Sequence, residues 1–165
     1  MNAETPFSEI YQAYAPRVYR LCMGYAGGRD ELARQWVQET FIKVWKHQQS
    51  FKGDAKLATW IYRIAVNVCL ADLRKKPKTE SLNRSIPDLA EPDREDQHTS
   101  QDTRIAKLYA CIDQLTQSNK VLIMLELEEV PQQEIAQTTG LKYGAVRTRL
   151  SRIRQALLNC MTHEK

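Results

Sequence analysis

No apolar run in the 165-residue sequence approaches the ~20 residues that a membrane-spanning helix needs. The N-terminal segment MNAETPFSE is polar and acidic, so no signal peptide is expected either. The three histidines lie far apart, and there is neither a phosphate-binding Gly loop nor a Ser or Cys nucleophile arrangement. We therefore predict a chain that is not an enzyme, with no catalytic residues, no cofactor, no bound metal and no small-molecule substrate.

Cysteine is present but dispersed, at positions 22, 69, 111 and 160, without a C-x-x-C motif or a Cys/His cluster. Single dispersed cysteines usually pack as small hydrophobic side chains, so neither a zinc site nor a redox site is expected. This cysteine usage fits a reduced, cytoplasmic setting. A metal or redox sensor that uses these four residues is a further alternative.

The stretch from 130 to 158 has the pattern of a helix-turn-helix. Pro131 suits the first turn of a helix, and Gly140 suits its end because glycine adopts a left-handed conformation at little cost. Beyond the turn, apolar residues recur at helical spacing: Val146, Leu150, Ile153 and Leu157. The opposite side of this helix is polar and basic, which predicts a reader of duplex DNA.

The alternative is a solvated helical hairpin whose arginines only keep it soluble. Five basic residues and no acidic residue occur between positions 142 and 154, so few ion pairs can form within this helix. The net charge of +4 for the whole chain also points, weakly, to a polyanionic partner. Both observations favour nucleic-acid binding.

Helical periodicity also organises the first 76 residues. A first stripe begins with Phe7 and Ile10 and ends at Gly27, with Pro16 expected to kink or interrupt it. A second helix is predicted to begin near Asp30, and a third follows a basic Gly loop. Trp36 falls partly off the apolar stripe of the second helix, which leaves a partner contact and partial burial both open.

The segment 77–104 differs in composition from both flanks. It is polar and proline-containing, with seven acidic and four basic residues, a net charge of −3. Such a segment cannot bury enough apolar surface to fold alone, so we predict a flexible acidic linker. Apolar helical periodicity resumes at Ile105. The predicted fold is therefore all-α, with helical domains at 1–76 and 105–165, the second of them a four-helix domain.

Three stretches resemble bacterial RNA polymerase sigma factors of the extracytoplasmic-function (ECF) group. VQETFIKVW at 37–45 resembles the polymerase-binding helix of the sigma-2 domain. FKGDAKLATWIYRIAVNVCLADLRKK at 51–76 is similar to the region that binds the promoter −10 element, and 115–158 resembles sigma-4. The sequence departs from the family at 32–35, where Leu, Ala, Arg and Gln replace the usual acidic residues. The resemblance implies a sigma-2-like bundle and a sigma-4-like domain with a helix-turn-helix.

The resemblance also implies the binding residues. Those expected to bind core polymerase are Gln35, Gln38, Glu39, Phe41 and Trp45. Those expected to bind the melted −10 element are Phe51, Lys52, Gly53, Asp54, Ala55, Lys56, Leu57, Arg63, Asn67, Arg74, Lys75 and Lys76, where Asn67 is either a base reader or a hydrogen-bonded core residue. Those expected to bind the duplex −35 element are Arg147 and Arg152 at guanines, Thr148 and Ser151 at close approach, and Lys142, Tyr143, Arg149 and Arg154 at phosphates.

The implied function is that of an alternative sigma factor, which directs RNA polymerase to specific promoters in response to an envelope or environmental stress. The implied partners are core RNA polymerase, promoter DNA and an anti-sigma factor, often membrane-anchored, that would hold the cytoplasmic chain at the inner membrane. The rival hypothesis is a stand-alone helix-turn-helix regulator whose N-terminal half senses a ligand or dimerises.

Overall fold

The computed structural model describes residues 5–51, 56–75 and 98–163. Within these ranges the regular structure is helical and contains no strand. The α-helices are Phe7–Ala26 (α1), Asp30–His47 (α2), Leu57–Lys75 (α3), His98–Asp113 (α4), Gln117–Leu127 (α5), Gln132–Thr139 (α6) and Tyr143–Thr162 (α7), with a 3-10 turn at Gln48–Ser50. In the described part of the chain, no helix combines the length and the apolar character that crossing a membrane requires.

Helices α1, α2 and α3 pack against one another as a first bundle. Its core is built from the predicted apolar stripes, including Val18, Leu21, Val44 and Ile61. Helix α1 runs through Pro16 without interruption, because contacts with both α2 and α3 hold it on either side of the proline. It ends at Gly27, whose φ of 63° is a left-handed conformation that glycine adopts without steric cost.

Trp36 is a core residue of the first bundle. Its side chain is fully buried, and its indole Nε1 donates a hydrogen bond of 2.8 Å to the Asp72 carboxylate of α3. A buried indole N–H needs such an acceptor, because leaving it unpaired would cost the desolvation free energy of the donor. Of the two possibilities left open by the sequence, the structure therefore assigns Trp36 to burial.

Helices α4 to α7 form a second bundle, and its last two helices are the predicted helix-turn-helix. Gly140 ends α6 in a left-handed conformation with φ of 77°, and its N–H donates to the carbonyl of Ala136. The apolar side of α7 is buried as the spacing predicted, at Val146, Leu150, Ile153 and Leu157. The four-helix organisation predicted for the second half of the chain is confirmed.

Helix α4 begins earlier than the sequence pattern indicated. The predicted linker 77–104 lies outside the described residues up to position 97, but residues 98–104 belong to α4, so the linker prediction is wrong there. Once the helix from Leu108 onward has formed, each further residue at its N-terminal end gains one backbone hydrogen bond and loses only its own conformational entropy. Polar residues can therefore extend the helix without contributing to its core.

The cysteines pair in space, although they are dispersed in sequence. Cys111 of α4 and Cys160 of α7 form a disulfide, so the expectation that the cysteines serve only as small apolar side chains is wrong for this pair. Cys22 of α1 and Cys69 of α3 are buried free thiols whose sulfur atoms lie 3.8 Å apart, as packing residues would. Sequence spacing carries no signal for either pair, because each joins different helices.

The two bundles contact each other along α1. Arg20 of α1 binds the buried Glu128 at the end of α5 through two hydrogen bonds of 2.9 and 3.0 Å. Nearby, Gly24 faces Met124 of α5 so closely that a Cβ atom on Gly24 would lie 2.4 Å from the Met124 sulfur. The absence of a side chain at position 24 therefore allows α1 and α5 to cross in contact.

Candidate nucleic-acid and polymerase interfaces

The polar side of α7 is the first candidate surface. Arg147, Thr148, Ser151 and Arg152 are all exposed, and we call these four residues the reading face. The Thr148 hydroxyl donates to the Gly144 carbonyl at 3.0 Å, which turns this side chain back onto the helix and keeps it low on the surface. Long arginines beside short residues give the helix a profile that can enter a major groove.

The residues that flank the reading face differ in how they are held. Lys142 is exposed at the start of α7, and the guanidinium of Arg147 lies 5.9 Å from the ring centroid of the exposed Tyr143. Arg154 donates a 2.6 Å hydrogen bond to Glu126 of α5, so this predicted phosphate contact is engaged within the protein. Arg149 is exposed on the other flank and faces the first bundle.

Helix α3 presents the second candidate surface. Arg63 and Asn67 are both exposed, so Asn67 is not a buried core residue. Both line a cleft of about 280 Å³ between the bundles, which we call the shared cleft. On the second bundle, the polar residues at its wall are Ser118, Thr138, Thr139 and Arg149. The structure thus places two of the predicted −10 residues opposite one of the predicted −35 residues.

The loop before α3 is only partly described. Phe51 is half-buried and stacks on Trp60, with ring centroids 5.2 Å apart, while Leu57 at the start of α3 is also half-buried. Lys56 is exposed and forms a 3.1 Å ion pair with Glu134 of α6. The predicted residues Lys52, Gly53, Asp54 and Ala55 lie outside the described part of the chain.

Glu134 of α6 also accepts a 2.7 Å hydrogen bond from the Thr59 hydroxyl. Together with the Lys56 ion pair, this ties the first turn of α3 to the second bundle. At the other end of α3, Arg74 and Lys75 are exposed, whereas Lys76 lies outside the described residues. The first turn of α3 is thus held by α6, whereas the cations of its last turn are exposed to solvent.

The third candidate surface is a stripe along α2. Gln35, Gln38, Glu39 and Trp45 are exposed on one side of the helix, and the Trp45 side chain is 63% exposed. Ile42, which the sequence analysis did not include, lies on the same side and is 53% exposed. We call these five residues the docking stripe. An exposed tryptophan beside an exposed isoleucine, bordered by polar residues, is typical of a protein–protein contact.

Phe41 does not belong to the docking stripe. Its side chain is only 3% exposed and packs edge-on against Tyr11 of α1, with ring centroids 4.9 Å apart. A direct contact between Phe41 and a polymerase is therefore not supported, because the packing of α1 on α2 already covers this ring. The spacing of apolar residues in α2 could have indicated this, since Phe41 shares a face with Val37 and Val44.

A tyrosine in the middle of α1 is hydrogen-bonded to the first residue of α2: the Tyr19 hydroxyl donates to the Asp30 carboxylate. Burial, together with a hydrogen bond to the Asp30 carboxylate, raises the pKa of Tyr19 to about 12. The same bond, followed by Arg34, lowers the pKa of Asp30. Nearby, hydrogen bonding to Tyr62 raises the pKa of Arg17.

Among the described residues, no group of three or more His, Cys, Asp or Glu side chains could hold a metal ion.

Comparison with known proteins finds two family matches in this chain. Residues 10–79 match Sigma-70 region 2, and residues 105–157 match Sigma-70, region 4. The first match covers the first bundle from Ile10 onward, and the second covers most of the second bundle. The first match extends to residue 79, three residues into the segment predicted as a linker, and the second begins directly after that segment.

Full-length relatives match along nearly the whole chain. The ECF RNA polymerase sigma factor RpoE of Cereibacter sphaeroides is 32% identical over 160 residues, which cover 92% of this chain and 86% of the relative. The ECF RNA polymerase sigma factor SigE of Mycolicibacterium smegmatis is 30% identical over 155 residues, which cover 92% of this chain and 60% of that relative.

Two solved structures share the fold. The sigma factor RpoE in complex with the anti-sigma factor NepR from Bartonella quintana matches with a TM-score of 0.74 and 19% identity, covering 96% of this chain and 98% of that chain. CnrH in complex with the cytosolic domain of CnrY matches with a TM-score of 0.69 and 18% identity, covering 99% of this chain and 94% of that chain. At these identities the likeness establishes the arrangement of helices.

Proposed function

Because this chain belongs to the ECF group of RNA polymerase sigma factors, we propose that it directs core polymerase to specific promoters through three surfaces of its own. The observation that carries the proposal is the occurrence, in one chain, of an exposed apolar docking stripe and a separate basic reading face. A stand-alone regulator that senses a ligand needs only the reading face, whereas one that dimerises would use the docking stripe to bind a second copy of itself. The family membership and this second surface together favour a sigma factor.

The reading face is proposed to bind the −35 element as duplex DNA. Arg147 and Arg152 are exposed and long enough for bidentate contacts with guanine, which discriminate by about 1–3 kcal/mol per base. Lys142, Tyr143 and Arg149 are placed to meet phosphates beside them. Arg154 would contribute a phosphate contact only after releasing Glu126, so its share of the affinity should be smaller.

The exposed side of α3 is proposed to bind the −10 element after it has melted. Separating base pairs costs a few kcal/mol per unstacked base, and a surface that captures an extruded base offsets that cost. Asn67 offers an amide that can pair with a base edge, and Arg63 lies one turn before it with a phosphate-binding guanidinium. Arg74 and Lys75 would continue the phosphate track along the strand.

With the bundles packed together, the reading face is exposed, but access to the −10 surface is narrowed. Arg63 and Asn67 line the shared cleft, and Glu134 of α6 holds the first turn of α3. A strand of DNA that reached Asn67 would meet α5 and α6 first. We therefore propose that the second bundle moves away from α3 before the −10 element binds, with the part of the predicted linker that precedes α4 acting as the tether between the two bundles.

The docking stripe is proposed to bind core polymerase. Trp45 and Ile42 supply the apolar anchor that usually carries most of the binding energy, while Gln35, Gln38 and Glu39 can fix the register through hydrogen bonds. The bonds of the RNA chain are made by the polymerase, so this chain is proposed to act in the cytoplasm as an initiation factor and not as an enzyme.

An anti-sigma factor is proposed as the regulator. The two structural relatives were each solved as a complex, one with the anti-sigma factor NepR and one with the cytosolic domain of CnrY. A protein that held the two bundles together would keep Arg63 and Asn67 inside the shared cleft, opposite α5 and α6. An envelope or environmental stress that released this protein would then open the cleft and give DNA access to the −10 surface.

The test is transcription with purified components. The full-length chain is mixed with core polymerase and a library of promoter fragments, and the 5′ ends of the transcripts are sequenced. A sigma factor produces transcripts that start at a fixed distance from a shared pair of sequence elements. If the chain binds DNA but starts no transcript unless another sigma factor is added, the regulator hypothesis is correct and the proposal is wrong.

A further inference from the structure

The disulfide between Cys111 and Cys160 connects the two ends of the second bundle. Cys111 lies near the end of α4, the first helix of this bundle, and Cys160 lies in the last turns of α7. Their Cα atoms are 6.0 Å apart, although 49 positions separate them in sequence. The bond therefore fastens the end of the recognition helix directly to the helix that contacts α1 of the first bundle.

The two cysteine pairs differ in their access to solvent. Cys160 is partly exposed and Cys111 is 4% exposed, so a dissolved reagent can reach the disulfide from the Cys160 side. Cys22 and Cys69 are completely buried among α1, α2 and α3. Burial also raises the pKa of the Cys69 thiol, and a protonated thiol is a poor nucleophile. Access thus separates a reactive pair from an inert one in the same chain.

We propose that Cys111 and Cys160 are a reversible thiol–disulfide modification site, at which small-molecule disulfides of the glutathione class clamp the end of α7 onto α4. Protein disulfides are rare in a reducing cytoplasm, and those that form there are usually catalytic or redox-sensing. The partly exposed Cys160 is the attacking residue, and the adjacent Cys111 is the resolving residue. Cys22 and Cys69 stay reduced throughout.

Oxidised glutathione is the only reagent needed to form the Cys111–Cys160 disulfide. The Cys160 thiolate attacks one sulfur of oxidised glutathione, forms a mixed disulfide and expels one glutathione thiolate. The Cys111 thiolate then attacks the Cys160 sulfur, forms the Cys111–Cys160 bond and expels the second glutathione. The two protein thiols lose two electrons and two protons, and one oxidised glutathione becomes two reduced glutathione molecules. A dithiol reductant drives the same steps in reverse.

The location of the clamp determines its effect. The start of α7 is held by Val146 and Leu150, which are fully buried, whereas its last turns carry the exposed Leu158. Without the disulfide, this end depends on the partly buried Met161 and on Leu157. The clamp should therefore change the stability of the second bundle and leave the geometry of the reading face unchanged.

The test uses the full-length chain in buffers of defined reduced-to-oxidised glutathione ratio. Free thiols are blocked with N-ethylmaleimide under denaturing conditions, and peptide mass spectrometry identifies the links. We expect a Cys111–Cys160 link that forms and disappears with the ratio, while Cys22 and Cys69 are recovered as blocked thiols. By circular dichroism, the oxidised chain should retain its helices to a temperature higher by on the order of 10 °C.

Cys160→Ser is the matched variant, because a partly exposed position tolerates the hydroxyl. It should unfold at the temperature of the reduced wild type under both conditions, whereas Cys111→Ser should accumulate glutathione on Cys160. Three results would each overturn the proposal: equal unfolding temperatures for oxidised and reduced wild type, a stable glutathione adduct on wild-type Cys160, or a link between Cys22 and Cys69. These readouts involve no DNA, so they do not depend on the promoter-binding proposal.

Discussion

Arg20 of α1 and Glu128 at the end of α5 are joined by two hydrogen bonds across 108 residues of sequence. The arginine side chain is 51% exposed, whereas that of the glutamate is 4% exposed. The Arg20 guanidinium therefore lies between the buried Glu128 carboxylate and solvent. The hydrogen bonds to Glu128 raise the pKa of Arg20. This pair joins the two bundles through a buried carboxylate, and its removal should show how strongly they are held together.

Replacing Arg20 with alanine should lower the free energy of unfolding by about 1–3 kcal/mol, because Glu128 is left buried without its partner. The measurement is urea denaturation followed by circular dichroism. Arg34→Ala is the control, since Arg34 and Asp30 form an exposed pair one helical turn apart, and exposed pairs contribute far less to stability than a buried one. Equal losses for the two variants would mean that the contact between the bundles contributes little.

Arg147→Ala should weaken binding to one class of −35 duplex by about 1–3 kcal/mol and leave other sequences nearly unaffected, because the proposed contact reads a base. Arg154→Ala serves as the comparison. Its side chain is bound to Glu126, so it should weaken all sequences slightly and equally. Competition binding against a panel of duplexes at fixed salt measures both effects. Uniform loss for Arg147→Ala would remove its assignment as a base reader.

Trp45→Ala should reduce the affinity for core polymerase at least about thirtyfold, because a tryptophan that anchors a protein–protein contact commonly contributes about 2 kcal/mol or more. Affinity can be measured by titrating labelled chain with core enzyme. Lys43→Ala is the matched control, since Lys43 is exposed on α2 and, two positions from Trp45, lies on nearly the opposite side of the helix from that side chain. If both variants bind as the wild type does, polymerase contacts another surface.

Phe41→Ala separates a core role from a partner contact. Removing a buried phenyl ring from a core costs about 3–5 kcal/mol, so this variant should show a much lower unfolding temperature. Its affinity for core polymerase, measured at a temperature where the variant is folded, should change less than that of Trp45→Ala. A stable Phe41→Ala protein with weak polymerase binding would contradict the burial argument.

The sequence was sufficient for much of this architecture, and the residues show why. The buried side of α7 could be predicted from the sequence alone, because its apolar residues recur at helical spacing: Val146, Leu150, Ile153 and Leu157. The same reasoning could not assign Trp36, because its burial depends on Asp72 from another helix. Periodicity describes one helix at a time, and it carries no information about which helices meet.

The candidate binding surfaces were also predictable only where their residues belong to one helix. The residues of the reading face are neighbours on one helix, and all of them are exposed as expected. The shared cleft was not predictable, because Asn67 and Arg149 belong to different bundles and come together only through packing. Ile42 was missed for a different reason: helical spacing places it off the face of Val37 and Val44, but a single exposed apolar residue is not by itself a sign of a binding surface.

Alkaline pH should destabilise the first bundle through Tyr19. Because its folded pKa is raised to about 12 from 10.0, the folded state holds the phenolic proton more tightly than the unfolded state does. The contribution to stability is therefore fully present below pH 10 and is lost as pH rises through 12. Tyr19→Phe should flatten the decline in unfolding temperature between these values and remove one tyrosine from the high-pH absorbance titration.

Asp30→Asn tests the cause of the Tyr19 shift. Burial is the larger cause and the hydrogen bond to Asp30 is the second, so this variant should return the pKa of Tyr19 only part of the way toward 10. Complete return would show that the Asp30 carboxylate dominates. No change at all would show that the negative charge of Asp30 has no influence on the Tyr19 proton, since the Asn side chain can still accept the hydrogen bond.

The shared cleft has a consequence for how promoters are ranked. The free energy needed to part the two bundles is the same whichever DNA sequence is bound afterwards. It therefore scales down the apparent affinity for strong and weak promoters by one common factor and leaves their order unchanged. The practical result is a threshold. At a given cellular concentration of this protein, weak promoters are unoccupied while the strongest promoters are still bound.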